Sequence, residues 1–284
     1  MKKIKITALM LTISLILTSC TKDPSEEVLD TAEEYAQALE TGDSDYILEM
    51  SSGLGDDDVA FFDEEEDAEI SRIKNAIADT VVCTVDEDSY TYSSGDKTCS
   101  VDLHVEICDY EEVLDGQIII DVDGIVNAIS EHDTKNFWVT LEFGKEDDRW
   151  AVTNFDDIKK DIFAFFDIEP EVLDMAEHIT GVTHCNTFDP DEPVYENVDY
   201  IHVALSFDTE VPAEYYSDVH YTYEYNGEVV SEGDGSSAFI DYRSGCMDPD
   251  HPEYIAAGEY YLTFYIGEGN VIYSETVTVY VNAD

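Results

Sequence analysis

Cysteine is the residue type in this chain with the clearest capacity for covalent chemistry. Beyond position 20 there are five cysteines: Cys83, Cys99, Cys108, Cys185 and Cys246. Thiols form disulfides in exported proteins, and they bind metals in sites that commonly use a C-x-x-C spacing. No C-x-x-C spacing occurs here, so the sequence predicts disulfides rather than a cysteine metal site. Because five is an odd number, one thiol must stay free or pair externally.

Two disulfides are favoured by position in the chain. Cys185 and Cys246 both lie in the second half and are predicted partners. Cys83 and Cys108 flank a predicted β-hairpin, and their spacing makes them near cross-strand neighbours. Cys99 could pair with either of these two only through a different register. The second pairing therefore stays open.

The N-terminus has the pattern of a secretory signal. A lysine-rich start is followed by an apolar run that is too short to be a spanning helix. The tetrapeptide Leu17-Thr18-Ser19-Cys20 resembles the lipobox of bacterial lipoproteins, in which the cysteine thiol takes a diacylglyceryl group and becomes the new N-terminus after cleavage. An ordinary cleaved signal followed by a structural cysteine is the alternative.

The lipobox resemblance implies both a location and a means of attachment. Residues 1–19 are predicted to be the signal peptide, Cys20 the lipidation site, and residues 20–23 a short lipidated linker. Acyl chains of the palmitate kind hold a protein by burying methylene groups, and more than one chain is needed for stable attachment. The chain is therefore expected at the cell membrane, on the extracytoplasmic face.

One acidic segment has spacing that is related to calcium binding. With Gly124 at the sixth place, Asp121, Asp123 and Asn127 fall at the third, fifth and ninth places of a loop that resembles part of an EF-hand or dockerin calcium loop. The first place is Ile119, and the twelfth also lacks a carboxylate. A solvated turn between a strand and a helix is the favoured interpretation, with weak Ca²⁺ binding as the alternative. No other cofactor is predicted.

Other candidate residues give weaker indications of chemistry. His178 and His184 lie six apart, a spacing that does not bring both to one metal on a helix or a strand. Acidic runs at 56–58 and 63–67 suit solvated faces or helix starts, and could gather divalent cations loosely. The chain has no G-x-S-x-G, H-E-x-x-H or G-x-x-x-x-G-K-[ST] motif, so an enzyme is unsupported.

The chain is strongly acidic. Its 284 residues include 67 Asp+Glu against 13 Lys+Arg, a formal net charge of −54. Such a charge repels nucleic acid, so no nucleic-acid partner is expected. Acidity of this degree is typical of disorder, but 12% aromatic residues and alternating apolar stretches predict folded domains.

The first half of the chain changes from helical to alternating periodicity. Apolar residues recur at helical spacing in three segments: Val28–Leu39, Tyr46–Met50 and Ile70–Ile77. Alternating residues then predict one hairpin over 81–110 and another over 137–155, followed by a closing helix. Helices followed by an antiparallel sheet predict an α+β fold.

Two parts of this half resemble a known family. The run VLDTAEEYAQALETGD from Val28 to Asp43, followed by the late strand Arg149-Trp150-Ala151-Val152, is similar to the NTF2-like (cystatin-like) domains of small bacterial lipoproteins. The resemblance implies a helix beside a curved antiparallel sheet, with a cavity at the wide end. It predicts such a domain over residues 24–167, with the segment 115–133 as a departure from the simplest family pattern.

The second half is predicted to be an all-β domain. A linker helix is expected within 168–181, and short alternating runs separated by turns predict a β-sandwich over 182–284. Asn226-Gly227 is the strongest hairpin signal in the chain. The ending, with Ala257–Phe264 and then Thr276–Val281, resembles the last two strands of bacterial immunoglobulin-like domains.

These observations predict a non-catalytic binding or interaction protein of the bacterial cell envelope, anchored by lipid, whose partner is an envelope protein or a small ligand. The alternative is an envelope hydrolase or isomerase that uses carboxylates in the cavity of the NTF2-like domain. Both NTF2-like and immunoglobulin-like folds present cavities or loops without requiring catalytic residues, which favours binding.

Overall fold

The structure is a computed structural model that describes residues 24–62, 68–146, 149–187, 192–244 and 246–282. These residues form a mixed α+β protein with predominantly antiparallel sheets, as the sequence predicts at that level. The described residues divide into two compact units: those within 1–112 and 129–168 form the first, and those within 113–128 and 169–284 form the second. Cys20 and the acidic run 63–67 lie outside the described residues.

The first unit begins with a helical layer. Helix α1 spans Ser25–Thr41, and its buried residues Val28, Ala32, Tyr35 and Leu39 recur every three or four positions, which places them on one face. Gly42 ends the helix in the left-handed conformation with φ +63°, and its N–H donates to the Ala38 carbonyl. The predicted first helix is therefore confirmed.

Three further helices complete this layer: α2 at Ser44–Met50, α3 at Asp56–Val59 and α4 at Ala68–Ala78. The Asp43 side chain caps α2 by accepting from the Tyr46 N–H at 3.0 Å. Ile73 and Ile77 of α4 are fully buried. The helical spacing of the isoleucines thus marks the face that packs into the core.

A four-stranded antiparallel sheet follows these helices in the first unit. Its strands are β1 at Val82–Ser93, β2 at Thr98–Cys108, β3 at Thr134–Glu146 and β4 at Arg149–Val152, in the order β1-β2-β3-β4. Side chains of β2 and β3 alternate between a buried and a solvent-facing side. One face of the sheet therefore carries the core and the other lies open.

Helical segments also follow β2 and β4. Helix α5 spans Tyr110–Leu114 and helix α6 spans Val122–Glu131. The closing helix α7 spans Phe155–Ile162, and a 3₁₀ turn follows it at Ala164–Asp167. Helix α7 matches the predicted closing helix, whereas α5 and α6 were not predicted beyond a turn before a helix.

The second unit contains two sheets that share one core. Three strands, β5 at Ile179–Cys185, β7 at Tyr200–Phe207 and β10 at Ser237–Asp241, pair in the order β10-β7-β5. The second sheet has the order β6-β12-β11-β8-β9, with strands Val194–Glu196, Asn270–Tyr280, Gly258–Ile266, Val219–Tyr225 and Glu228–Asp234. Buried residues from both sheets form a single hydrophobic cluster.

The hairpin of β8 and β9 confirms the strongest turn signal in the sequence. Asn226 and Gly227 have φ values of +53° and +80°, the left-handed conformation that a two-residue hairpin of this type requires. The parallel pairing of β6 with β12 was not anticipated. Strand β6 has only three residues, too few to give a period in the sequence.

The predicted linker helix over residues 170–178 is not formed. Val172 makes a parallel bridge with Ile119 instead, and the Leu173 N–H donates to the Ile119 carbonyl at 2.9 Å. These bonds hold the backbone extended, and residues 175–178 then form a turn. Pairing with a distant segment outweighed the local helical pattern, and the segment 113–128 belongs to the second unit for the same reason.

Candidate functional site

The structure forms neither candidate disulfide, since Cys83 is not bonded to Cys108 and Cys185 is not bonded to Cys246. The register of β1 and β2 places Cys83 opposite Val105, three residues from Cys108. Side chains alternate along a strand, so an odd separation puts these two thiols on opposite faces of the sheet. The Cys83–Cys108 pairing is therefore wrong in this structure.

The Cys185–Cys246 disulfide is not formed either. Cys185 ends β5 and pairs across the strands with His202, whereas Cys246 forms a hydrogen bond with the Tyr260 side chain of β11. Burial raises the pKa of Cys246 and that of Cys108, and it raises the pKa of Cys83 to about 12. Thiols with raised pKa values are poor nucleophiles and poor metal ligands at neutral pH.

The predicted calcium-loop residues take part in a helix start. The Asp121 carboxylate accepts from the Gly124 N–H at 3.1 Å, and residues 122–131 form helix α6, which contains Asp123 and Asn127. Asp121 therefore acts as an N-terminal cap for α6, consistent with the favoured interpretation of a turn before a helix. Weak Ca²⁺ binding by these residues stays a prediction.

One surface cluster joins a histidine to two carboxylates. The His178 Nδ1 atom lies 3.0 Å from Asp208 Oδ2 and 3.7 Å from Glu210 Oε2. The hydrogen bond to Asp208 raises the pKa of His178, and the same bond lowers the pKa of Asp208. The cluster is a charged pair, with Glu210 as a second, more exposed neighbour. His178 was named from the sequence, but its partners come from a different segment.

A second polar cluster lies inside the second unit and links its two sheets. His184 of β5 is 3% exposed, and its Nε2 atom lies 3.3 Å from Glu275 Oε2 of β12. The Tyr273 hydroxyl donates to the same carboxylate oxygen at 3.1 Å, and the Tyr195 hydroxyl lies 3.4 Å from His184 Nδ1. Of these residues only His184 was a candidate from the sequence, whereas Glu275, Tyr273 and Tyr195 were not.

The tyrosines of this buried cluster are neutral hydrogen-bonding groups. Burial, followed by the charge of Glu275, raises the pKa of Tyr273 to about 12 and raises that of Tyr195. Burial also raises the pKa of Tyr223, whose hydroxyl has no hydrogen-bond partner among the described residues. The buried Glu275 Oε1 atom also has no hydrogen-bond partner among the described residues. The arrangement can hold the two sheets in register, because a polar contact of His184 with Glu275 and Tyr195 needs one specific alignment of the strands.

The open face of the four-stranded sheet carries the most exposed large aromatic side chain among the described residues. Trp138 of β3 is 59% exposed, while the other tryptophan, Trp150, is 3% exposed. Trp138 pairs across the strands with His104 of β2, and the two ring centroids are 4.9 Å apart. His104 Nδ1 lies in turn 3.7 Å from Glu106 Oε1. The indole is held in place on one side and is open to solvent on the other.

We call this surface the Trp138 face and define it by the outward positions of three strands. They are Val82, Thr84, Asp86, Ser100, Asp102, His104, Glu106, Asn136, Trp138, Thr140 and Glu142. Four of these are carboxylates, and none is Lys or Arg. The Thr140 hydroxyl donates to Asp102 at 2.6 Å, which fixes that carboxylate beside the aromatic pair. The face can therefore offer a ring and fixed negative charge together.

Comparison with known protein families and with curated proteins gives no match for this chain. Among the helices of the described ranges, none has both the length and the apolar character needed to cross a membrane.

Proposed function

We propose that this protein is a lipid-anchored binding protein on the extracytoplasmic face of a bacterial cell membrane. The observation that carries the proposal is the lipobox-like sequence Leu17-Thr18-Ser19-Cys20 directly after a basic and apolar signal. Helix α1 begins at Ser25, five residues after Cys20. Acyl chains on Cys20 would hold the start of the first unit close to the bilayer.

We propose in addition that the first unit is NTF2-like and the second immunoglobulin-like. A helical layer followed by an antiparallel sheet of four strands supports the first assignment. Two sheets with a shared core support the second. Binding by such a protein requires an accessible surface, and the Trp138 face of the first unit is the surface best suited to it.

Metabolic labelling tests the anchor directly. The full chain would be expressed in a bacterial host with an alkyne analogue of palmitate, as wild type and as Cys20→Ala. The wild type should be labelled, lose its first nineteen residues and partition into detergent, whereas Cys20→Ala should remain unlabelled and unprocessed. Cys185→Ala is the matched control and should be labelled like the wild type, because its thiol lies in the folded second unit.

Mass spectrometry of the native protein shows directly whether the N-terminus is processed and whether Cys20 carries lipid. An intact Met1, or a processed N-terminus with a free thiol at Cys20, would overturn the proposed anchor. Equal labelling of wild type and Cys20→Ala would do the same.

A further inference from the structure

We propose that the Trp138 face binds a cationic segment of a partner protein, one that presents Lys or Arg side chains to Trp138. The inference deepens the proposed function and rests on it for the envelope setting, since it names the surface and the chemistry of the partner. It depends on the composition and geometry of one sheet face, so it can fail or succeed separately from the lipid anchor.

The exposed indole of Trp138 favours a cationic partner. An ammonium or guanidinium group over the face of a tryptophan is attracted by the ring quadrupole, and tryptophan is the strongest of the aromatic residues in this respect. The ring of Trp138 is 59% exposed and rests against His104. It is therefore presented to solvent by a rigid strand rather than by a loop. Tryptophans of this kind are enriched among the residues that dominate binding at interfaces.

The carboxylates around the ring of Trp138 favour the same cationic partner. Asp86, Asp102, Glu106 and Glu142 lie on the same face, and none of the outward positions around Trp138 is Lys or Arg. Arg149 of β4 pairs with Glu146, eight residues along β3 from Trp138. A cationic side chain that stacks on Trp138 can pair with these carboxylates, while an anionic partner would be repelled. The two interactions select the same kind of group, so they act together.

The charge of the whole chain also favours a cationic partner. A formal net charge of −54 attracts cationic partners over long distances and accelerates their association. Long-range attraction alone would not favour one surface over another, because exposed carboxylates occur in both units. Trp138 adds the short-range contact that makes one acidic face different from the others.

A peptide titration tests the proposal on the full-length protein in mild detergent. The probe is a hexa-arginine peptide, with a Gly-Ser peptide of equal length as the neutral comparison. Binding is followed by calorimetry and by tryptophan emission, which reports on Trp138 because Trp150 is buried. We expect hexa-arginine to shift the emission and the Gly-Ser peptide to leave it unchanged. Binding should weaken as ionic strength rises.

Matched variants separate the Trp138 face from general acidity. Trp138→Ala should weaken hexa-arginine binding about fivefold, from the loss of one cation–π contact. Tyr261→Ala removes an aromatic ring that is 47% exposed in the second unit, and it should leave binding unchanged. Glu106→Gln with Glu142→Gln should weaken binding about threefold, as expected for two exposed ion pairs.

The charge control is Glu228→Gln with Glu232→Gln, which neutralises two exposed carboxylates on β9. Equal weakening by the two double variants, or wild-type affinity in Trp138→Ala, would overturn the proposal in favour of diffuse attraction. Emission that responds to a neutral chito-oligosaccharide but not to hexa-arginine would also overturn it. None of these results depends on acylation of Cys20, so failure of the anchor is detected independently by the labelling experiment.

Discussion

Two buried tyrosines differ in one hydrogen bond, and this difference has a measurable consequence. Both Tyr35 and Tyr223 are fully buried. The Tyr35 hydroxyl forms a hydrogen bond of 2.7 Å with the Ser51 hydroxyl, whereas the Tyr223 hydroxyl has no partner among the described residues. Deleting a satisfied buried hydroxyl costs stability, but deleting an unsatisfied one removes a desolvation penalty.

We therefore expect Tyr35→Phe to lower the free energy of unfolding by about 1 kcal/mol and Tyr223→Phe to be neutral or stabilising. Urea unfolding of the two variants measures both values against the wild type. Each variant controls for the other, because both remove one oxygen from a fully buried tyrosine. A greater loss in Tyr223→Phe than in Tyr35→Phe would show that the Tyr223 hydroxyl has a partner after all.

The His178–Asp208 pair makes stability depend on pH in a defined direction. The pKa of His178 is raised above 6.5 by the hydrogen bond to Asp208, so its contribution is present below that value and is lost as pH rises through the raised pKa. The pKa of Asp208 is lowered below 3.8, so its contribution is present above that value and is lost as pH falls through the lowered pKa. The pair therefore stabilises most between about pH 4 and pH 6.5.

Nuclear magnetic resonance titration of His178 tests this assignment. Asp208→Asn should lower the pKa of His178 towards its ordinary value, because it removes both the charge and the accepting carboxylate. Glu210→Gln should lower the pKa less, since Glu210 acts only through charge at a longer distance. A His178 pKa that does not move in Asp208→Asn would contradict the assignment.

At the scale of elements, the turn between β11 and β12 depends on a glycine. Gly267 has φ +58°, and a Cβ atom at this position would overlap the Asp121 carboxylate. The same carboxylate caps helix α6 through the Gly124 N–H. A side chain at position 267 would therefore strain the turn and displace the cap of a helix that is distant in sequence.

Gly267→Ala should lower the free energy of unfolding by about 2 kcal/mol, from backbone strain and loss of the cap. Gly181→Ala is the control, since Gly181 has open space around its Cα and no positive φ. Its effect should stay within about 0.5 kcal/mol. Thermal or urea unfolding of the two variants measures both changes. Equal losses of unfolding free energy in Gly267→Ala and Gly181→Ala would contradict the prediction.

Local periodicity was sufficient for most elements of the fold. Helix α1, the hairpin of β1 and β2, and the turn at Asn226-Gly227 follow from spacing within the segment itself. The linker helix failed because its residues pair with Ile119, about fifty positions earlier. Pairing between distant segments leaves no period in either of them, so a single sequence does not reveal it.

The candidate site was also partly present in the sequence. Phe137 and Trp138 are consecutive in a predicted strand, and consecutive strand residues point to opposite faces, so one of the two aromatics had to face outward. Asp86, Asp102 and Glu106 come from β1 and β2, and only the strand register brings them beside Trp138 and Glu142 of β3. The predicted Cys83–Cys108 disulfide failed for the matching reason, since register sets the face on which each thiol lies.

At the scale of the whole molecule, net charge dominates. A folded chain with a formal net charge of −54 is destabilised by self-repulsion, and dissolved ions screen that repulsion. We expect the melting temperature to rise by several degrees when salt is added. Calorimetry with NaCl and with CaCl₂ at matched ionic strength measures the effect. A melting temperature that ignores both salts would contradict the prediction, and a larger rise with CaCl₂ would indicate weak Ca²⁺ binding.

The bridge between Ile119 and Val172 has a consequence for how the chain is made. The segment 113–128 leaves the ribosome, and any export channel, before its partners at 171–173 and Tyr215, whose hydroxyl accepts from the Ile118 N–H. Its apolar residues therefore stay unpaired until residues 171–173 and Tyr215 have been synthesised. A stop codon placed after Ile168 would therefore yield not a clean first domain but a fragment that carries an orphaned insert.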